Sequence, residues 1–219
     1  MGDDDLKRGA VSRRQVLGWS ATGAAGLIMP LGAWAAAKTA AMTEGPFYPR
    51  AADMPLDQDN DLTTIVGQTG VAAGALLDFS GRVIDEKDLP IKNALVEIWQ
   101  CNNFGRYHDS RDDSAAPRDP FFQGFGRVVT DAEGRYRFRT IKPVAYPGRV
   151  PHIHYKVKSR DFGELTSQIF LVGEPGNDRD GVLRAIRKEA ERKSVMMELK
   201  PAARDSGVKL VGSFDIVVG

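Results

Sequence analysis

The side chains best suited to chemistry fall within the stretch Tyr146–His154, which contains two histidines, a tyrosine and an arginine. His152 and His154 alternate with apolar residues, which is the period of a half-buried β-strand. Alternate side chains of a strand share one face, with Cα atoms about 6.6 Å apart, so these two imidazoles can bind the same metal ion. The Pro-Gly pair after Tyr146 predicts a turn that returns the phenol over the end of the strand.

This pattern leaves a second interpretation open. A histidine pair on a strand is often a hydrogen-bonded polar face that binds nothing, and Tyr146 could cover the core as a turn aromatic. The tyrosine and Arg149 so close to the histidine pair favour a functional site. The residue types alone do not decide between the two interpretations.

The composition indicates one loop-rich globular domain. The chain has 219 residues, 42% of them hydrophobic, with 23 glycines and 12 prolines. A formal net charge of +1 and the lack of a basic tract argue against nucleic acid as a partner. The single cysteine, Cys101, excludes an intrachain disulfide framework, and its place at the end of an apolar strand predicts a core residue.

Residues 1–37 have the pattern of a signal peptide. Basic residues precede an apolar stretch at 16–31, and alanines at 35–37 resemble a cleavage site. The Arg13-Arg14 pair indicates a twin-arginine signal, which exports folded proteins and would suit a protein that takes up its metal in the cytoplasm. We expect a periplasmic or secreted protein with no membrane span after processing. An uncleaved anchor helix is the alternative, although the stretch is short for one.

The rest of the chain predicts an extended N-terminal arm, 38–75, followed by a β domain, 76–219. We predict an all-β fold, a single-domain antiparallel β-sandwich of Greek-key type with long loops. The composition of Asp131–Gly134 indicates a hairpin turn, and that of Asp180–Lys193 a short surface helix. The loop at 101–124 is too aromatic for disorder and is expected to be functional. Short segments of alternating or continuous apolar character predict strands at 77–85, 94–100, 125–130, 135–141, 152–157, 166–172 and 209–218.

Four separated motifs lie in the middle of the chain. They are Trp99–Tyr107, Phe122–Arg127, Thr130–Phe138 with Thr140–Pro143, and Tyr146 with His152–His154. Their content and order resemble the intradiol ring-cleavage dioxygenases, which include catechol and protocatechuate 3,4-dioxygenases. The resemblance extends over about residues 43–218 and implies a transthyretin-like β-sandwich.

The resemblance also implies a non-haem ferric site, Fe(III), with two tyrosine and two histidine ligands. These fall on Tyr107, Tyr146, His152 and His154, with Tyr146 and His154 axial. It places Arg149 beside the bound substrate ring and Gln168 in the lining of the pocket, and it gives Tyr146 a second role as acceptor of a substrate proton. The implied reaction cleaves a catechol-type ring between its hydroxyl-bearing carbons with O2 and gives a muconate-type dicarboxylate.

The chemistry of the donors favours the same metal. Phenolate is a hard anionic donor that ionises on a strong Lewis acid, and two phenolates suit a trivalent ion. Zinc sites favour Cys, His and carboxylate, whereas ferrous oxygenases favour two histidines and a carboxylate. Tyr136 and Tyr155 are expected on strand positions away from the site, and His108 is expected to be exposed.

The sequence departs from better-known members of the family at two points. The interval from Tyr146 to His152 is short, so a loop over the site is missing and the choice of substrate stays open. Cys101 replaces a usual small residue. The alternatives are a catalytically inactive transthyretin-like binding module, and a zinc hydrolase on the same residues. The expected partners are a small catechol-type molecule and O2, with a homo-oligomer left open.

Overall fold

The computed structural model describes residues 37–219. They form ten strands and two short helices, and the strands are arranged in two five-stranded sheets. The predicted signal peptide, 1–37, lies outside the described residues apart from Ala37. Within this described part of the chain, no helix is long and apolar enough to cross a membrane.

The first sheet is organised around its longest strand, which pairs along both edges. Its members are β1 (Leu76–Asp85), β4 (Arg135–Ile141), β8 (Leu199–Pro201), β9 (Leu210–Ser213) and β10 (Ile216–Val218). Along one edge β1 pairs with β4, and along the other with β9 and then β10.

The second sheet carries the histidine strand near its centre. Its members are β2 (Leu95–Trp99), β3 (Phe125–Val129), β5 (His152–Ser159), β6 (Gly163–Leu171) and β7 (Met196–Met197), in the spatial order β3-β2-β5-β6-β7. Two five-residue helices, α1 (Gly181–Ala185) and α2 (Glu189–Lys193), connect β6 to β7.

The core lies between the two sheets and follows the strand period. Ile153, Tyr155 and Val157 of β5 are fully buried there, together with Phe79 and Phe138 from the first sheet. Burying each such side chain contributes roughly 1.5–3 kcal/mol. Because side chains alternate along β5, the histidines lie on the opposite face, away from this core.

The N-terminal arm runs along the edge of β6 and then crosses that opposite face, where Gly45 approaches the His154 ring. The backbone N–H of Met42 donates to Thr166 O at 2.9 Å, and the Ser167 hydroxyl donates to Ala40 O at 2.6 Å. Further along the arm, Phe47 and Tyr48 pack into a cluster around Trp99. The arm contains no strand or helix of its own, yet it shields the histidines from solvent.

The all-β sandwich is confirmed, but one predicted connection is wrong. The segment Asp131–Gly134 does turn, with Gly134 N–H donating to Asp131 O at 3.0 Å. However, β3 pairs with β2 and β4 pairs with β1, so the turn joins the two sheets and is not a hairpin. Local turn chemistry specifies the reversal of the chain, whereas core packing decides the partners of each strand.

The end of the chain also differs from the prediction. The strand predicted at 209–218 divides into β9 and β10, because the Asp215 carboxylate accepts the Arg82 N–H at 2.8 Å in place of a ladder carbonyl. Both halves run parallel to β1, and β7 runs parallel to β6, so the sheets are not purely antiparallel. The helix predicted at 180–193 likewise divides into α1 and α2.

Candidate metal centre

The two histidines of β5 bring their Nε2 atoms to within 3.1 Å of each other. His152 Nδ1 lies 2.7 Å from the carbonyl of Val150, so the ring proton sits on Nδ1 and the Nε2 lone pair is available. A backbone carbonyl in this role is the usual support of a metal-binding histidine. Metal–imidazole bonds are about 2.0–2.1 Å long, so the two Nε2 atoms are spaced like adjacent ligands of one ion.

Both imidazoles are held in the neutral form. Burial, with a smaller contribution from the charge of Arg149, lowers the pKa of His152 to about 4. The pKa of His154 lies well below its ordinary value, because of burial first and then the charges of His152 and Arg149. Neutral imidazole is the form that binds metal ions, so burial prepares both side chains for that role.

Tyr107 reaches the histidines from the long loop between β2 and β3. Its backbone N–H donates to Asp112 Oδ2 at 2.7 Å, and its ring stacks on Phe47 with centroids 4.7 Å apart. These contacts place the Tyr107 hydroxyl 3.5 Å from His152 Nε2. The loop thereby brings one of the predicted ligands beside the histidine pair.

Tyr146 enters from the turn before β5. Gly148 has φ +83°, a conformation that suits glycine, and Arg149 N–H closes the turn onto Tyr146 O at 2.9 Å. The Tyr146 ring lies 5.5 Å from the His152 ring and 5.7 Å from the Tyr107 ring, centroid to centroid. All four predicted ligands are thus brought together.

The donor set fits a hard trivalent cation. Burial raises the pKa of Tyr107 well above its ordinary value and also raises that of Tyr146, where the charge of Arg149 opposes the rise. Both phenols are therefore neutral unless a strong cation compensates the phenolate charge. His154 Nδ1 is buried and has no hydrogen-bond partner in residues 37–219.

The alternative metal sites lack their ligands. No group of three or more His, Cys, Asp or Glu side chains suited to a metal occurs in the described part of the chain. Zinc sites and the ferrous two-histidine-one-carboxylate site both draw on such groups. In the described residues, the side chains that lie beside the histidine pair are instead the two phenols, Tyr107 and Tyr146.

Arg149 and Gln168 lie together beside the four ligands. Arg149 Nη2 donates to Gln168 Oε1 at 2.6 Å, and Gln168 Nε2 donates to the carbonyl of Thr43 in the arm at 3.0 Å. Gln168 is fully buried and faces His154 in the β5–β6 ladder. The Gln168 amide therefore links the guanidinium of Arg149 to the backbone of the arm.

The contacts of two residues near the site were not predicted from the sequence. Asp180 accepts the Arg149 Nε–H at 2.8 Å, and Trp99 stacks on the His154 ring. An aspartate before Gly-Val-Leu is typical of a helix N-cap, and this pattern could have drawn attention to Asp180. For Trp99, the signal was its position at the end of the strand that pairs with β5.

Three side chains test the expectations about residues outside the ligand set. Tyr136 and Tyr155 face the core, as predicted, and the Tyr136 hydroxyl donates to Phe214 O at 2.6 Å. The expectation that His108 is exposed was wrong. His108 is half-buried against Phe122, and burial, with the charge of Arg118, lowers its pKa.

Comparison with known proteins places the chain among dioxygenases. A family model described as Dioxygenase matches residues 43–218. The chain is 40% identical over 168 residues to the protocatechuate 3,4-dioxygenase beta chain of Burkholderia cepacia, covering 73% of this chain and 71% of that one. It is 33% identical over 176 residues to catechol 1,2-dioxygenase 2 of Acinetobacter lwoffii, covering 69% of this chain and 60% of that one.

A solved structure gives the same answer for the fold. It is the dioxygenase domain of a dioxygenase–carbohydrate-binding protein fusion from Streptomyces sp. SirexAA-E, with a TM-score of 0.59 and 27% sequence identity. The match covers 83% of this chain and 97% of that domain.

Proposed function

The chain belongs to the intradiol ring-cleavage dioxygenase family, and from this membership we propose that it is a non-haem Fe(III) dioxygenase acting on a catechol-type ring. The reaction breaks the bond between the two hydroxyl-bearing ring carbons and incorporates both atoms of O2 into a muconate-type dicarboxylate. The observation that carries the proposal is the convergence of two phenols, Tyr107 buried and Tyr146 half-buried, with two buried imidazoles.

We propose that Tyr107, Tyr146, His152 and His154 hold the iron. The bound ferric ion would supply a Lewis acid that binds the deprotonated diol and activates its ring. The protein residues account for the remaining requirements. Tyr107, His152 and His154 are buried under the arm, whereas the half-buried Tyr146 leaves the site open on the side of its turn.

Proton transfer and charge stabilisation fall to Tyr146 and Arg149. A catechol must lose two protons to bind through both oxygens. Tyr146, as the phenolate that a bound ferric ion would stabilise, would accept one of them, and the other would pass to solvent at the open side of the site. Tyr146 is only half-buried, so a substrate can approach its hydroxyl from solvent. The guanidinium of Arg149 provides a fixed positive charge where negative charge develops on the ring.

We propose a wide range of substituted catechols as substrates, and an exported location. Pro147 and Gly148, which follow Tyr146 in the turn before β5, are exposed. The short interval from Tyr146 to His152 supports an open approach to the site. An open mouth of this kind suits bulky catechols, which an exported enzyme would meet outside the cell.

Product analysis with catechol under 18O2 tests the proposal. We expect a muconate-type acid carrying both labelled atoms, together with O2 uptake by the iron-loaded protein. A yellow semialdehyde as the main product would contradict the ligand assignment, because it arises from cleavage beside the diol. Binding of iron and catechol without O2 uptake would instead support the inactive binding module. An O2-uptake screen over catechol, protocatechuate, hydroxyquinol and lignin-like catechols measures the substrate range.

A further inference from the structure

The guanidinium of Arg149 is held along two of its edges. Nε donates to Asp180 Oδ2 at 2.8 Å, and Nη2 donates to Gln168 Oε1 at 2.6 Å. The arginine side chain is 16% exposed, whereas that of Asp180 is fully buried. These two bonds use Nε and Nη2 and leave the Nη1 edge of the guanidinium outside the pairing.

The two carboxylate oxygens of Asp180 accept hydrogen bonds from different parts of the chain. Oδ1 accepts the N–H groups of Val182 and Leu183, both at 3.0 Å, and so caps helix α1. Oδ2 accepts Arg149 Nε and the backbone N–H of Val150, the latter at 3.2 Å. The same carboxylate thus ties the helix, the arginine and the backbone just before β5 together.

The helix gives the carboxylate a rigid base. Leu183 of α1 is fully buried in a small apolar cluster with Val150 and Phe170. The cap bonds therefore hold Asp180 against the body of the domain. A guanidinium paired with so fixed a carboxylate needs no reorganisation when charge develops beside it.

We propose that Asp180 is a positioning residue for Arg149, which it orients toward the substrate ring. This inference rests on the proposed function, since it assigns a catalytic consequence to the pair. The competing explanation is that Asp180 only caps α1. Replacing Asp180 by serine distinguishes the two explanations, because a serine hydroxyl can still cap α1 but offers no second oxygen to Arg149.

The test compares Asp180→Ser with Asp180→Ala in the mature, iron-loaded protein. Both variants should lose about 10- to 100-fold in kcat, because the arginine is no longer held in place, while KM changes much less. The alanine variant, which also loses the cap, should melt about 2–4 °C below the serine variant. If kcat instead follows the melting temperature, with serine close to wild type, Asp180 is only a cap and the proposal is overturned.

Asp178→Ala is the matched control. Asp178 is 96% exposed and pairs with Arg192 at 2.9 Å, so its loss should leave kcat and the melting temperature unchanged. A second readout does not depend on turnover. In iron-free protein, the Arg149 Nε–H signal in 15N NMR should be protected from exchange, and both Asp180 variants should lose that protection. Retained protection in either variant would refute the pairing. Absence of catechol turnover in the wild type would refute the proposed function alone.

Discussion

The indole ring of Trp99 stacks on the imidazole of His154, with ring centroids 5.0 Å apart and an angle of 12° between the two planes. The two residues face each other across the β2–β5 ladder, and Trp99 is 1% exposed. The arm approaches the same imidazole at Gly45, where a Cβ atom would lie 3.1 Å from His154 Cε1. Stacking and close approach of the arm together fix the direction in which His154 presents Nε2.

Trp99→Ala should therefore damage both the fold and the metal site. We expect a loss of about 3–5 kcal/mol in the free energy of unfolding, measured by urea denaturation of iron-free protein. Iron per chain after dialysis should also fall, because the His154 ring is no longer oriented. Trp99→Phe should retain most of the iron, since it keeps a stacked ring. Equal iron content in the alanine variant and wild type would show that the stack does not support the ligand.

The two phenols should give the loaded protein its colour. Tyrosinate bound to ferric iron produces a broad visible charge-transfer band, so Tyr107→Phe and Tyr146→Phe should shift or abolish it. Tyr136→Phe is the control, because its hydroxyl donates to Phe214 O in the core, so its loss should lower stability by about 1 kcal/mol and leave the spectrum unchanged. A colourless wild-type protein with stoichiometric zinc would contradict the ligand assignment.

The alternation of residues predicted the strand β5 and the shared face of His152 and His154 from the sequence alone. Their neighbours across the sheet were not predictable in the same way. The stack on Trp99 depends on the register of β2 against β5, which burial of the apolar face determines. The alternation of residues identifies the two faces of a single strand. The register, in contrast, depends on how two neighbouring strands pair, so the sequence of one strand does not give it.

The partners of Arg149 illustrate a second limit. Gln168 and Asp180 reach the arginine from β6 and from the start of α1, respectively. Nothing local in the sequence connects these positions, because the contacts form only when the sheet and the helix pack together. The turn at Asp131–Gly134 shows the same dependence, since its chemistry is local but its connection of two sheets is not.

Arg149→Lys should separate catalysis from metal binding. Lysine keeps the charge but cannot bond Asp180 and Gln168 at once, so the charge is no longer oriented. We expect iron content and colour to be retained, while kcat falls by about 10²- to 10³-fold. Arg179→Lys, at an exposed arginine, should behave as wild type. Equal loss of iron and activity in Arg149→Lys would indicate that the residue is structural.

The export proposal is tested in cells. Arg13→Lys combined with Arg14→Lys should leave the precursor in the cytoplasm, because the twin-arginine pathway reads both side chains. Fractionation followed by detection of the protein measures this. A matched double change at two other basic residues, Lys7→Arg with Arg8→Lys, should leave export intact. Normal periplasmic accumulation of the Arg13/Arg14 variant would show that another route is used.

The buried histidines should make the iron-free protein sensitive to mild acid. Burial first, and then the charge of Arg149, lowers the pKa of His152 to about 4 in the folded protein. The unfolded chain has the ordinary value of about 6.5, so between these values the unfolded state binds a proton that the folded state does not. The resulting stability is present above pH 6.5 and is lost as pH falls toward 4.

For His152 alone, this loss amounts to about 2 kcal/mol between pH 7 and pH 5. The carboxyl groups whose pKa is lowered, such as that of Asp180, lose their contribution only below their ordinary value of 3.8 and so fall outside this window. Urea unfolding at the two pH values, followed by the emission of Trp99, measures the difference. Trp99 is the only tryptophan in residues 38–219. His152→Gln should reduce the dependence on pH by about that 2 kcal/mol, whereas an unchanged dependence would mean that His152 is already charged in the folded, iron-free protein.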